Sequence, residues 1–120
     1  MMGHTRWAFP DGDLPPRGEG EPHGHESLVI LNPNGVEAAC RLTMYFTDRE
    51  PVRDLTFTVG AERVRCLRMD EPVGDQGFMV PFGQYALVLE STVPVVAQIG
   101  RMDVQQPNLA YYTVMGFPVA

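Results

Sequence analysis

Residues 38–47 read Ala38-Ala39-Cys40-Arg41-Leu42-Thr43-Met44-Tyr45-Phe46-Thr47, and their alternation decides the fold class. Cys40, Leu42, Met44 and Phe46 point one way, while Arg41, Thr43, Tyr45 and Thr47 point the other. Successive side chains of an extended chain leave opposite faces, so a period of two with one apolar face predicts a half-buried antiparallel strand. Residues 53–59 repeat the device, with Leu55, Phe57 and Val59 opposite Asp54, Thr56 and Thr58. No stretch sustains a helical period.

Outward from these two strands, 27–31 (SLVIL) and 85–89 (YALVL) are nearly continuous apolar runs suited to central strands. Residues 5–9 predict a short first strand, and 95–103 and 109–115 two more. Residues 63–69 place Val64 and Cys66 on one face, then Leu67 and Met69 on the other, a slip that predicts a bulge or a strand end. Turn residues fall between the runs. Asn32-Pro33-Asn34-Gly35 predicts a hairpin, and Asp48-Arg49-Glu50-Pro51 and Val59-Gly60-Ala61-Glu62 the next two turns. Thr92-Val93-Pro94 and 105–108 separate the last three strands; 10–24 and 70–83, rich in Pro and Gly, read as irregular. About eight short strands spaced in this way predict an all-β, antiparallel β-sandwich, with a barrel as the alternative.

Composition sets the outer bounds. A chain of 120 residues, 44% hydrophobic, fits one domain over 1–120 that buries a core without disulfides or metal. No apolar run approaches the roughly 20 residues that span a bilayer. The opening MMGHTRWAF lacks the charged-then-apolar layout of a signal peptide, so a cytoplasmic location is expected. A net charge of -6 argues against nucleic acid or anionic membranes as partners. All nine basic residues are Arg, which excludes Schiff-base lysine chemistry, a P-loop lysine and Ser–Lys dyads. Arg also suits partly buried pairs with carboxylates. Cys40 and Cys66 lie in apolar stretches and are expected as buried free thiols.

The residues that could carry chemistry are few. His23-Gly24-His25-Glu26 would put two imidazoles on one face of a strand, a start for a metal site. A cupin-like metal enzyme fails on spacing: its glutamate would stand several residues after the second histidine, where Val29 and Ile30 lie, and no later strand histidine exists. Ser27 and Ser91 sit in no nucleophile elbow, and nothing selects a catalytic carboxylate pair. The expectation is a binding domain without enzymatic activity, metal or cofactor. Arg101 and Asp103 end the apolar face of Val95, Ala97 and Ile99 as a polar pair, and Gln98 places an amide on the opposite face. A polar group at a buried position must be paired, internally or by a ligand. Trp7, the sole tryptophan, is core filler or a stacking platform for sugars.

Taken together, several segments resemble the Anabaena sensory rhodopsin transducer family. They are Trp7-Ala8 with Gly12 and Leu14-Pro15-Pro16; His25-Glu26 leading into Val29-Ile30-Leu31-Asn32; 42–51 (LTMYFTDREP); and Val93-Pro94-Val95-Val96 with Gln98, Arg101 and Asp103. Their order and spacing hold over nearly the whole chain, with departures at 70–83, at His23 and at the C-terminus. The resemblance implies a β-sandwich assembled as a homotetramer, a role in relaying a membrane photoreceptor's signal, and small-molecule binding with sugars as suggested ligands. The ligand-binding candidates are Trp7, His25, Glu26, Asn32, Asp48, Gln98, Arg101 and Asp103.

Overall fold

A computed structural model describes residues 2–120. It contains eight strands: β1 (His4–Leu14), β2 (His25–Asn32), β3 (Ala38–Tyr45), β4 (Val52–Val59), β5 (Arg63–Arg68), β6 (Gly83–Asp103), β7 (Ala110–Met115) and β8 (Phe117–Pro118). All pairings are antiparallel. The first sheet runs β4-β3-β6-β1-β8, and the second runs β5-β2-β6-β7, so β6 belongs to both.

That shared strand makes the sandwich. Its first half pairs with β3 up to Ser91 and with β1, which after a register shift also reaches Val95 through His4, and its second half pairs with β2 and β7 from Val96 onward. A straight strand would hold Tyr85 and Arg101 about 50 Å apart, yet both bond one carboxylate, that of Glu26. β6 therefore folds back on itself around Thr92-Val93-Pro94. The sequence predicts two strands separated by a turn at this place. The reversal is real, but backbone pairing continues through the corner because each half finds new partners as it changes sheet.

The periodicity of 38–47 holds except at one position: Thr43, expected on the outward face, is buried. Ala39, Arg41 and Tyr45 are exposed, and Ala38, Cys40, Leu42 and Met44 are buried. Opposite them, Leu28, Ile30, Leu67, Ala97 and Ile99 face inward from the second sheet, and together they form one continuous core. The two apolar runs are central strands as predicted: β2 lies between β5 and β6, and the first half of β6 between β3 and β1.

Four local expectations are corrected. First, β1 does not stop at Phe9. It passes a bulge between Phe9 and Gly12 and runs to Leu14. Pro10 sits in that bulge, where a residue without an N–H costs no ladder hydrogen bond. Gly12 follows because a Cβ there would fall 2.4 Å from the Tyr85 ring. Second, Asn32-Pro33-Asn34-Gly35 closes no hairpin; it carries the chain from β2 in one sheet to β3 in the other. Third, of the two readings of 63–69 the strand end holds and the bulge does not, since β5 pairs with β2 without interruption from Arg63 to Arg68, where it ends. Val64 and Cys66 are simply apolar side chains that face out. Fourth, only Cys40 is buried; Cys66 is exposed.

Candidate functional site

The inward face of β2 reads Glu26, Leu28, Ile30, Asn32: a polar residue at each end of an apolar interior, all fully buried. Each end is tied differently. The two Nδ2 hydrogens of Asn32 are shared among the carbonyls of Val36 (2.9 Å), Val59 (3.1 Å) and Gly60 (3.0 Å). Its Oδ1 accepts from the Asn34 backbone N–H (3.0 Å) and from Asn34 Nδ2 (2.8 Å), which also reaches the Pro94 carbonyl (2.7 Å). These bonds join the β2–β3 crossing, the β4–β5 crossing and the β6 corner. Asn32 and Asn34 therefore fasten three changes of sheet at one end of the sandwich.

The other end carries charge. Glu26 stands opposite Arg101 across β2 and β6, and Arg101 Nε donates to Glu26 Oε2 at 2.9 Å. Tyr85 donates its hydroxyl to the other carboxylate oxygen, and the Asp13 backbone N–H donates to Oε2 at 3.1 Å. The remaining Arg101 bonds go to the Tyr112 hydroxyl (Nη1, 3.1 Å) and the Asp11 carbonyl (Nη2, 2.6 Å). Its guanidinium carbon lies 5.2 Å from the centroid of the Tyr112 ring. Strands β1, β2, β6 and β7 meet in this network, which reaches the surface at Asp11 and at Tyr112, 42% exposed.

The electrostatics follow from burial and pairing. Burial works to lower the Arg101 pKa, but hydrogen bonds to Tyr112 and Glu26 and the charge of Glu26 outweigh it, and the guanidinium stays protonated. Burial, then the neighbouring Glu26 charge and its hydrogen bond, hold the Tyr85 hydroxyl well above the ordinary tyrosine pKa. The carboxylate has three donors, and each nitrogen of the guanidinium has one acceptor, so the buried charges are paired.

Of the sequence candidates, the structure brings together Glu26 and Arg101. The partner of Arg101 is Glu26, not Asp103, whose Oδ1 instead accepts the Gln105 N–H at 2.9 Å. Trp7 is 8% exposed and donates its indole N–H to the Val95 carbonyl at 2.9 Å, so no ring face is open. Asn32 lies at the opposite end of β2. Asp48 is exposed and paired with Arg49 at 3.1 Å, and Gln98 is exposed on the outer face of β6. His25 is half-buried, its Nδ1 2.8 Å from the His23 carbonyl. Among the described residues no three His, Cys, Asp or Glu side chains converge to hold a metal ion. Sequence reasoning missed Tyr85 and Tyr112. Tyr85 reads as one more apolar residue of a core strand, although a buried tyrosine hydroxyl needs a partner, and that need was the available signal.

Fold and network define the class: an antiparallel sandwich folded about one shared strand, with a buried Glu–Arg–Tyr cluster at one end. The profile of the Anabaena sensory rhodopsin transducer family matches residues 2–118, and the chain belongs to that family. Among solved structures, the crystal structure of Thermotoga maritima 1070 is similar, with 33% identity and a TM-score of 0.85 over 99% of this chain and 97% of that one. The Anabaena sensory rhodopsin transducer is 34% identical, with a TM-score of 0.74 over 87% of this chain and 92% of that one. No curated protein matches the sequence.

Proposed function

We propose that this chain is a non-enzymatic signalling or regulatory domain that binds a small polar, carbohydrate-like ligand where the Arg101 network opens at Asp11 and Tyr112. One observation carries this reading. Nε, Nη1 and Nη2 of Arg101 each make one hydrogen bond, which leaves two of the five guanidinium donors beside a half-exposed aromatic ring. Glu26 neutralises the guanidinium and the Asp11 carboxylate lies 4.0 Å from Nη2, so the opening offers donors, an acceptor and a stacking surface without net positive charge. That combination suits a neutral ligand with adjacent hydroxyls. Neutral sugars and metabolites should raise the melting temperature of the protein in a thermal-shift screen, since a ligand of the native state stabilises it. Tyr112→Ala, at a partly exposed position, should fold and lose the response. A screen in which no compound class shifts the protein, or an unchanged response in Tyr112→Ala, would refute the reading.

Membership of the family and the name of the Anabaena relative support a membrane photoreceptor as an upstream partner and a cytoplasmic location. No helix of the structure is long and apolar enough to cross a membrane. The homotetramer has support on the outer face of the second sheet. There, Val64, Leu31 and Val96 form one row, and Cys66, Val29, Gln98 and Met115 the next. Val64, Met115 and nearby Tyr111 are about two-thirds exposed. A monomer rarely leaves so continuous an apolar face to water, and a second copy would cover it. Sedimentation should show an oligomer that Met115→Arg dissociates; a monomeric wild-type protein would count against the assembly.

A further inference from the structure

The outer face of the first sheet carries a groove of about 460 Å³, within the range of small-ligand sites. It shares no lining residue with the Arg101 network. Its floor is Ala39, an exposed methyl between two hydroxyls. Thr58 is its partner across β4, and Thr92 Oγ1 accepts the Ala39 N–H at 3.0 Å. The next row holds Thr56, Arg41 and Glu90. The small floor residue flanked by larger neighbours makes the hollow.

One wall is the 70–83 loop, and it is pinned. Asp75 N–H donates to the Thr56 carbonyl (2.8 Å), and the Thr56 N–H donates to Gln76 Oε1 (2.8 Å). The Thr56 hydroxyl donates to Asp75 Oδ2 (3.1 Å) and accepts from Gln76 Nε2 (2.8 Å). These bonds hold the Asp75 carboxylate in place before any ligand arrives, which removes an ordering cost from binding. Asp75 Oδ1 makes no hydrogen bond or ion pair.

The charges around the groove pair off except at one place. Arg41 pairs with Glu90 at 3.2 Å and with Asp54 at 3.6 Å, and Arg6 lies 3.9 Å from Glu90. Arg65 reaches the rim, donating to the Thr58 carbonyl at 2.6 Å, so three arginines stand near three carboxylates, of which Asp75 alone makes no ion pair. An anion placed at Asp75 would meet its unpaired carboxylate. A neutral polyol would leave Asp75 without a counter-charge. We propose that the groove binds a small hydroxylated amine, its ammonium on Asp75 and its hydroxyls on Thr58, Thr92 and the Arg41–Glu90 pair.

Glucosamine and glucose differ in the required charge at nearly equal size, and inorganic phosphate tests the opposite sign. Isothermal titration of the full chain at low salt should show glucosamine binding about tenfold more tightly than glucose, the worth of one charge-assisted contact, and no phosphate binding. Asp75→Asn keeps an oxygen for Thr56 and should remove the preference for the amine. Ala39→Leu fills the hollow from an exposed position and should abolish binding of both sugars in the groove. Equal affinity for glucosamine and glucose, or glucosamine affinity unchanged in both folded variants, overturns the proposal. Because the neutral-sugar response assigned to Tyr112 is read on a different variant, either reading can fail alone.

Discussion

Replacing Arg101 by alanine should cost about 3–5 kcal/mol of folding stability, the penalty for leaving a buried charge without its partner. Glu26 is fully buried, and without the guanidinium its carboxylate keeps only the Tyr85 hydroxyl and the Asp13 N–H. The same change frees the Asp11 carbonyl and the Tyr112 hydroxyl, so the β1 and β7 ends should loosen as well. Removing the whole cluster is a different matter. A triple variant, Glu26→Leu with Arg101→Met and Tyr85→Phe, leaves no orphan charge and should recover most of the loss, because apolar replacements of buried ion pairs are often neutral or better. Urea unfolding of the single and triple variants measures both numbers. A loss under about 1 kcal/mol for Arg101→Ala would place the pair among weak surface bridges and contradict the burial argument.

The cluster also sets an alkaline limit. The Tyr85 pKa is raised in the fold above its ordinary value of 10.0. Above that pH the unfolded chain loses a proton that the folded chain keeps, so the unfolded state binds fewer protons and stability falls as pH rises. The contribution is complete below pH 10 and disappears as pH climbs through the raised value. Tyr85→Phe should flatten this decline relative to wild type, and an identical alkaline slope in both proteins would show that the hydroxyl is not held as described. Cys40, also raised by burial, titrates in both and cancels in the comparison.

The second large effect lies at the other end of β2. Asn32→Ala strips the hydrogen-bond donor from three carbonyls, those of Val36, Val59 and Gly60, and frees Asn34. Leaving such groups unsatisfied should cost about 3 kcal/mol or more. Asn32→Asp should be no better, since a carboxylate donates nothing and would face three carbonyl oxygens with a buried charge. Asp48→Ala, by contrast, removes only an exposed contact with Arg49 and should leave the melting temperature unchanged. If Asn32→Ala and Asp48→Ala melt alike, the fastening of the three sheet crossings is not where stability resides.

These contrasts show what could be read before folding. Arg101 was legible as a polar residue ending an apolar face, whereas Glu26 and Asn32, which flank the 27–31 run, entered as candidates through the family resemblance. Whether each served a ligand or the interior was not legible, since a satisfied side chain and an unsatisfied one have the same sequence. Arg101 reads most naturally against Asp103, two residues away on the same face. Its partner is Glu26, 75 residues distant, because the two strands pair in a register that only assembly sets. The Ala39 groove was invisible: its loop wall comes from a segment that reads as irregular, and its floor is the plain alanine of the strand that first revealed the fold.

What the sequence by itself determined is where most strands lie and, in the alternating stretches 38–47 and 53–59, the side they bury, together with the family. Both depend on local alternation and on motif order, which survive without coordinates. Only the tertiary structure decided that Thr92-Val93-Pro94 is a corner within one strand and that Asn32-Pro33-Asn34-Gly35 crosses between sheets. It also decided that Glu26 draws Arg101 and Tyr85 together. The reason is physical: pairing partners and sheet changes are chosen by which distant strand supplies the missing hydrogen bonds and apolar cover, and no local pattern encodes that choice.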